Sequence, residues 1–167
     1  MTLRLILTRH AKSSWAAPTM DDHMRPLNQR GERSAEAIGA WLVAEGHVPE
    51  LALVSSSTRT RQTWALIAQA FDPAPEARFM DALYHGEPNT LMQALQSAEA
   101  DSVMMIAHNP GIAYFAQGLV AALPGDARFE RYPTGATAVI EFDAPGWGSV
   151  TWTTGRVTAL AFPRDLI

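Results

Sequence analysis

A short apolar run, Leu5-Ile6-Leu7, ends in Thr8, Arg9 and His10, followed by a small residue and a polar loop. An arginine beside a histidine is a chemically useful pair. Imidazole near neutral pH is a nucleophile or a proton carrier, and guanidinium grips an oxyanion through parallel N–H groups. Two further apolar runs end in a similar way. "LALVSS" passes into Ser55-Ser56-Ser57-Thr58-Arg59, and "SVMMIAH" passes into His108-Asn109-Pro110-Gly111. Two arginines, two histidines and several hydroxyls therefore stand at the ends of three candidate strands. All of them attract an anion, and a tetrahedral phosphoryl group fits these donors. Each residue also has a plainer reading. His10 could be a partly buried histidine with one backbone hydrogen bond, Arg59 an exposed first-turn residue, and His108 a cap for the helix behind it. Twelve of the thirteen basic residues are arginines and Lys12 is the only lysine, so an arginine is marked as functional only by its setting.

These side chains must be brought together by the elements that carry them. Leu3 to Thr8 reads as a short buried strand, as do Leu51 to Ser56 and Ser102 to His108. Asn28 to Glu45 reads as a helix with Ile38, Trp41 and Leu42 on one face and Gly46 as its stop. Ser57 or Thr58 caps a second helix whose apolar face includes Trp64, Ile67, Ala68 and Phe71, with Pro73 and Pro75 ending it. A weaker helix spans Pro88 to about Ser97, and Asn109-Pro110-Gly111 opens another that runs to about Leu123. "GATAVIEF" and "SVTWTTG" around "DAPGWG" predict a late hairpin-like strand pair. Strand–helix alternation followed by a β pair implies a three-layer α/β/α sandwich with a mostly parallel sheet and a late antiparallel strand. In such a sheet the carboxyl ends of the strands share one edge, where ligands bind, and helix N-termini add free N–H groups there.

Composition narrows the function classes. A chain of 167 residues reads as one domain, residues 1–167, with a substantial core. A net charge of -4 argues against a nucleic-acid partner. Without cysteine, thiolate nucleophiles, thiolate metal sites and disulfides are excluded. No apolar stretch is long enough to span a membrane. Arg4 and Arg9 bracket an apolar run of three residues, which does not resemble a secretion signal, so a cytoplasmic protein is the expectation.

Four segments in order, "LTRHAKSSW", "RPLNQRGERSA", "SSSTRTRQTW" and "MIAHNPG", resemble the histidine phosphatase superfamily, whose fold is that of phosphoglycerate mutase. The closer likeness is to compact SixA-type phosphohistidine phosphatases. The resemblance implies that His10 is the nucleophile that becomes transiently phosphorylated, with Arg9, Arg59 and His108 as the phosphate pocket. It implies a phosphorylated protein or a small phosphate ester as partner, and neither metal nor cofactor, because arginines supply the positive charge. The sequence departs from the family at Ala11, where glycine is usual. Alanine forbids little there unless the backbone needs positive φ. Arg25 either reaches the phosphate or pairs with Asp21 or Asp22. Ser13 either donates to phosphate or is an ordinary loop serine.

No general acid stands out. Larger relatives place a carboxylate between the second and third strands, and the matching "MDALYHGEPNT" offers Asp81, His85 and Glu87. A weak acid signal leans toward phosphohistidine as substrate, because its P–N bond needs less help to break than an ester bond. Little spare length remains for a lid, which also suits a side chain presented by another protein. The rival readings are a small-molecule phosphomonoesterase or mutase of the same architecture, a non-catalytic phosphate-binding module and a metal hydrolase. Against the last, the histidines at 10, 23, 47, 85 and 108 contain no close pair with metal-ligand spacing.

Overall fold

The computed structural model describes residues 2–167. Its six strands are β1 (Thr2–Arg9), β2 (Leu51–Ser55), β3 (Glu76–Met80), β4 (Ser102–Ala107), β5 (Thr137–Asp143) and β6 (Arg156–Ala161). The helices are α1 (Gln29–Ala44), α2 (Thr58–Ala68), α3 (Pro88–Gln96), α4 (Gly111–Leu119), and the single turns α5 (Arg128–Arg131) and α6 (Pro163–Leu166). The strands form one sheet in the order β3-β2-β4-β1-β5-β6. β3, β2, β4 and β1 run parallel, whereas β5 is antiparallel to both of its neighbours.

Leu5, Ile6 and Leu7 are all fully buried because β1 is covered on both faces, which is why the run is continuously apolar rather than alternating. Leu3, Leu5 and Leu7 pack in one core with residues of α3 and α4, and Ile6 packs in the other with residues of α1 and α2. This is the three-layer sandwich the sequence implied. Asn28 caps α1 by accepting from the Gly31 N–H at 2.8 Å, and the Ser57 hydroxyl caps α2 by accepting from Thr60. Gly31 must lack a side chain, since a Cβ there would lie 2.0 Å from the Lys12 carbonyl oxygen. That close approach fixes the loop after β1 against the start of α1.

Four expectations are corrected. β3 has no apolar signature because it is a largely exposed edge strand, and it falls where no strand was expected. "SVTWTTG" is not a strand; the strand after the turn is β6, which begins at Arg156. The backbone of that segment serves α4 instead. Thr153 N–H donates to Gly118 O at 2.8 Å, Gly155 N–H donates to Leu119 O at 2.8 Å, and the Trp152 ring meets Phe115 edge-on. Those bonds take the terminal carbonyls of α4, which therefore stops at Leu119 and not near Leu123. Phe71 lies beyond the end of α2, yet is still buried near Trp64.

Candidate active site

Strand register accounts for the meeting of the two histidines. Arg9 pairs with Ala107 across β1 and β4, so His10 and His108 leave adjacent strands at the same level. Their rings stand 5.3 Å apart, centroid to centroid. His10 is 5% exposed, and its Nδ1 lies 2.7 Å from the Ala11 carbonyl oxygen. A carbonyl only accepts, so Nδ1 carries the proton and Nε2 keeps its lone pair. A cleft of about 270 Å³ opens over this ring, lined by Arg9, His10, Ser13, Asp22, Arg25, Arg59, His85 and His108 among others.

Arg59 is 2% exposed at the start of α2. It donates to the Asp22 carbonyl oxygen at 2.7 Å and to Asp22 Oδ2 at 3.0 Å, and its Nη2 lies 3.4 Å from His108 Nδ1. Guanidinium cannot accept, so His108 Nδ1 is the acceptor and its Nε2–H donates to Ser55 Oγ at 2.7 Å. Arg9 donates to the Tyr132 carbonyl at 3.3 Å and has no carboxylate partner among the described residues. Tyr132 holds that carbonyl in place from a left-handed backbone conformation, φ 48°, with its ring fully buried. Arg9, unpaired, and Arg59, paired with a half-buried carboxylate, thus flank His10 with guanidinium charge.

The remaining candidates divide. Arg25 forms the expected ion pair with Asp22 at 3.0 Å and also lines the cleft. Its guanidinium rests 3.8 Å above the exposed Trp15 ring and donates to the Ser13 hydroxyl, so Ser13 orients Arg25 as well as lining the cleft. Of the acid candidates, His85 lines the cleft, 3.4 Å from Asp22 Oδ2. Asp81 begins an exposed turn outside it, and Glu87 faces a neighbouring cleft with Asn109 and Pro110. Gly111 seats the His85 loop, since a Cβ on it would lie 2.0 Å from the Gly86 carbonyl oxygen.

Two groups that organise the site were not legible as such. Asp22 joins Arg25, Arg59, His85 and the Tyr84 hydroxyl, which donates to it at 2.6 Å. Its aspartate pair was visible in the sequence only as a possible partner for Arg25, and nothing in the local sequence distinguished Tyr84.

The sequence profile of the histidine phosphatase superfamily (branch 1) matches residues 5–85. An uncharacterized protein of Mycobacterium tuberculosis is 31% identical over 163 residues, covering 93% of this chain and 99% of the relative. The chain belongs to the histidine phosphatase superfamily. A candidate SixA phosphohistidine phosphatase from Nakamurella multipartitia superposes with a TM-score of 0.82 at 26% identity, over 98% of this chain and 97% of the other. A Plasmodium falciparum phosphoglycerate mutase shares the fold at a TM-score of 0.62 and 20% identity, over 95% and 90% of the two chains.

This histidine phosphatase chain accommodates Ala11 without strain. The residue is fully buried, is absent from the positive-φ positions, and donates its N–H to Thr63 Oγ1 at 3.0 Å. The electrostatics keep both rings neutral. Burial, reinforced by the charges of Arg9, Arg59 and Arg25, lowers the His10 pKa to about 3 despite the Ala11 hydrogen bond. Burial first, then His10 and Arg59, lowers that of His108 to about 2. The Tyr84 hydrogen bond, followed by Arg25 and Arg59, holds the Asp22 carboxyl far below the usual range.

These shifts have a stability consequence of definite sign. Between pH 6.5 and about 3 the unfolded chain protonates its histidines while folded His10 and His108 stay neutral. Unfolding then takes up protons, so stability falls as pH drops, by about 1.4 kcal/mol per pH unit for each ring. Asp22 adds in the same direction below its ordinary value. Urea midpoints measured from pH 7 to pH 4 should fall steeply, and His10→Ala should flatten the slope. A wild-type midpoint unchanged over that range would mean that these rings are charged in the fold.

Proposed function

We propose that this chain is a phosphatase that removes phosphoryl groups from phosphohistidine in a protein, through a phosphohistidine intermediate at His10. The observation that carries this reading is the lone pair left on His10 Nε2 by the Ala11 contact, beneath the guanidinium groups of Arg9 and Arg59. Its likeness to the SixA candidate supports the substrate class.

In the first step Nε2 attacks phosphorus and the P–N bond to the substrate imidazole breaks, with the electron pair leaving on that nitrogen. The His10 ring gains positive charge, which the Ala11 carbonyl stabilises through Nδ1–H. Arg9 and Arg59 stabilise the three equatorial oxygens. Once Arg59 Nη2 turns from His108 Nδ1 to a phosphoryl oxygen, that nitrogen is released; the Ser55 hydroxyl can donate as well as accept, so His108 can then carry its proton on Nδ1 and present it to a phosphoryl oxygen. In the second step water attacks phosphorus, the His10 N–P bond breaks, and His10 regains its lone pair as phosphate leaves with the water proton. His85, at the mouth of the cleft with Asp22 behind it, is the group placed to supply a proton to a departing substrate. Arginines carry the charge that a metal carries in other phosphatases, and among the described residues no three His, Asp or Glu side chains group as metal ligands.

A peptide phosphorylated on histidine and an aryl phosphate ester, each assayed with and without excess chelator, test the reading. Turnover should be insensitive to chelator. The phosphohistidine peptide should be preferred by about 10²-fold, the low end of the roughly 10²–10⁴ that acid catalysis supplies to a departing oxygen. Preference for the ester would establish a small-molecule phosphomonoesterase. Phosphate binding with no turnover of either would establish a binding module.

A further inference from the structure

Lys12 and Thr134 form a wall shared by the cleft over His10 and a second cleft of about 210 Å³. Around the second cleft stand Lys12, Arg30, Arg128, Arg131 and Arg164, and no carboxylate lines it. That is five of the thirteen cations of a chain whose net charge is -4. Arg128 is neutralised by Asp126 at 2.7 Å and Asp165 at 3.0 Å. The other four are exposed, with no ion pair and no side-chain hydrogen bond among the described residues. Elsewhere among the described residues Arg4, Arg25, Arg59, Arg78 and Arg156 have carboxylate partners and Arg9, Arg33 and Arg61 do not, so four of the seven cations without such a partner stand around this one cleft. Uncompensated positive charge is thus gathered beside the catalytic cleft.

We propose that this second cleft is a docking surface for an acidic segment flanking the phosphohistidine of a protein substrate, an inference that rests on the function proposed above. The character of the cations selects this occupant. They come from four separate segments (the loop after β1, the start of α1, the end of α5 and α6), and none is buried toward a common point as Arg9 and Arg59 are. A single phosphate needs convergent donors, whereas carboxylates spaced along a chain meet cations spaced around a groove. Each exposed pair contributes little by itself, so recognition is spread over several pairs and acts mainly on encounter. Buried Phe162 and Pro163 give the groove an apolar floor for the intervening side chains. The shared wall makes the two clefts contiguous, as a segment running on from a bound phosphohistidine requires.

The test compares two synthetic peptides phosphorylated on histidine, one flanked by four glutamates and one by four serines, with phosphoramidate as the smallest substrate. Wild type should favour the glutamate peptide in kcat/KM by about tenfold at low salt, the lower end of electrostatic steering, and lose the preference at high salt. R131E/R164E should abolish the preference and leave phosphoramidate turnover unchanged, which also certifies its fold. No preference in wild type, or one that survives in R131E/R164E, overturns the proposal. If wild type turns over neither peptide, the phosphohistidine reading fails by itself. Fluorescence anisotropy of the labelled, unphosphorylated glutamate peptide then decides the docking surface. Salt-sensitive binding to wild type that R131E/R164E loses upholds it, and equal or absent binding to both overturns it.

Discussion

His10→Ala is expected to abolish turnover, by at least about 10⁴-fold in kcat, because it removes the ring whose Nε2 keeps its lone pair in the cleft while Nδ1 is held by the Ala11 carbonyl. The other histidine of the pair, His108, has both ring nitrogens engaged, by Ser55 and Arg59. Loss of the ring should leave the fold intact at neutral pH. The residue lies just past β1, and its backbone bonds, from its N–H to Ala107 O and from Gly135 N–H to its carbonyl, do not involve the imidazole. The variant should still bind phosphate, since Arg9 and Arg59 remain. Single-turnover assays with acid-labile phosphate located by peptide mapping make the check direct: wild type carries label on His10, and the variant carries none. A variant with a large share of wild-type rate would remove His10 from the mechanism.

Arg59→Ala should lower kcat/KM by about 10²–10³-fold, the scale of a lost electrostatic donor at a developing oxyanion. The loss should fall on kcat as well as KM, because charge grows on the equatorial oxygens during transfer. The folded state should tolerate the change. Asp22 would keep its bonds to Arg25 and Tyr84 and is already partly solvated, its side chain 42% exposed. Arg59→Lys should recover only part of the rate, since one ammonium cannot reproduce a guanidinium that reaches both the Asp22 carbonyl and its carboxylate. Steady-state kinetics with inorganic phosphate as a competing ligand separate the two parameters. A loss below about threefold would mean that this guanidinium does not face the reacting phosphoryl group.

The elements that announced themselves in the sequence did so through short-range physics. A strand buried on both faces must be apolar throughout, so β1, β2 and β4 stood out, and the polar residues directly after them had to emerge at one sheet edge. Asn28 and Ser57 cap helices by reaching N–H groups three residues away, again a local signal. Where the signal failed, the deciding partner was distant. "SVTWTTG" has the residues of a strand, but its backbone pairs with the end of α4, more than thirty positions earlier. β3 is half solvated and lacks the apolar run that a central strand needs.

The sequence by itself determined which side chains gather at the sheet edge, Arg9, His10, Arg59 and His108, because each ends, follows or opens an element specified by its own neighbours. Tertiary structure alone decided what those groups are bonded to. Asp22 meets Arg59 across 37 positions and Tyr84 across 62, and Ser55 meets His108 across 53. Such contacts leave no trace in local periodicity or capping, since they exist only once parallel strands in register and the loops over them are packed together. On His108 they also set which nitrogen carries the proton, whereas on His10 the carbonyl of the adjacent Ala11 does so.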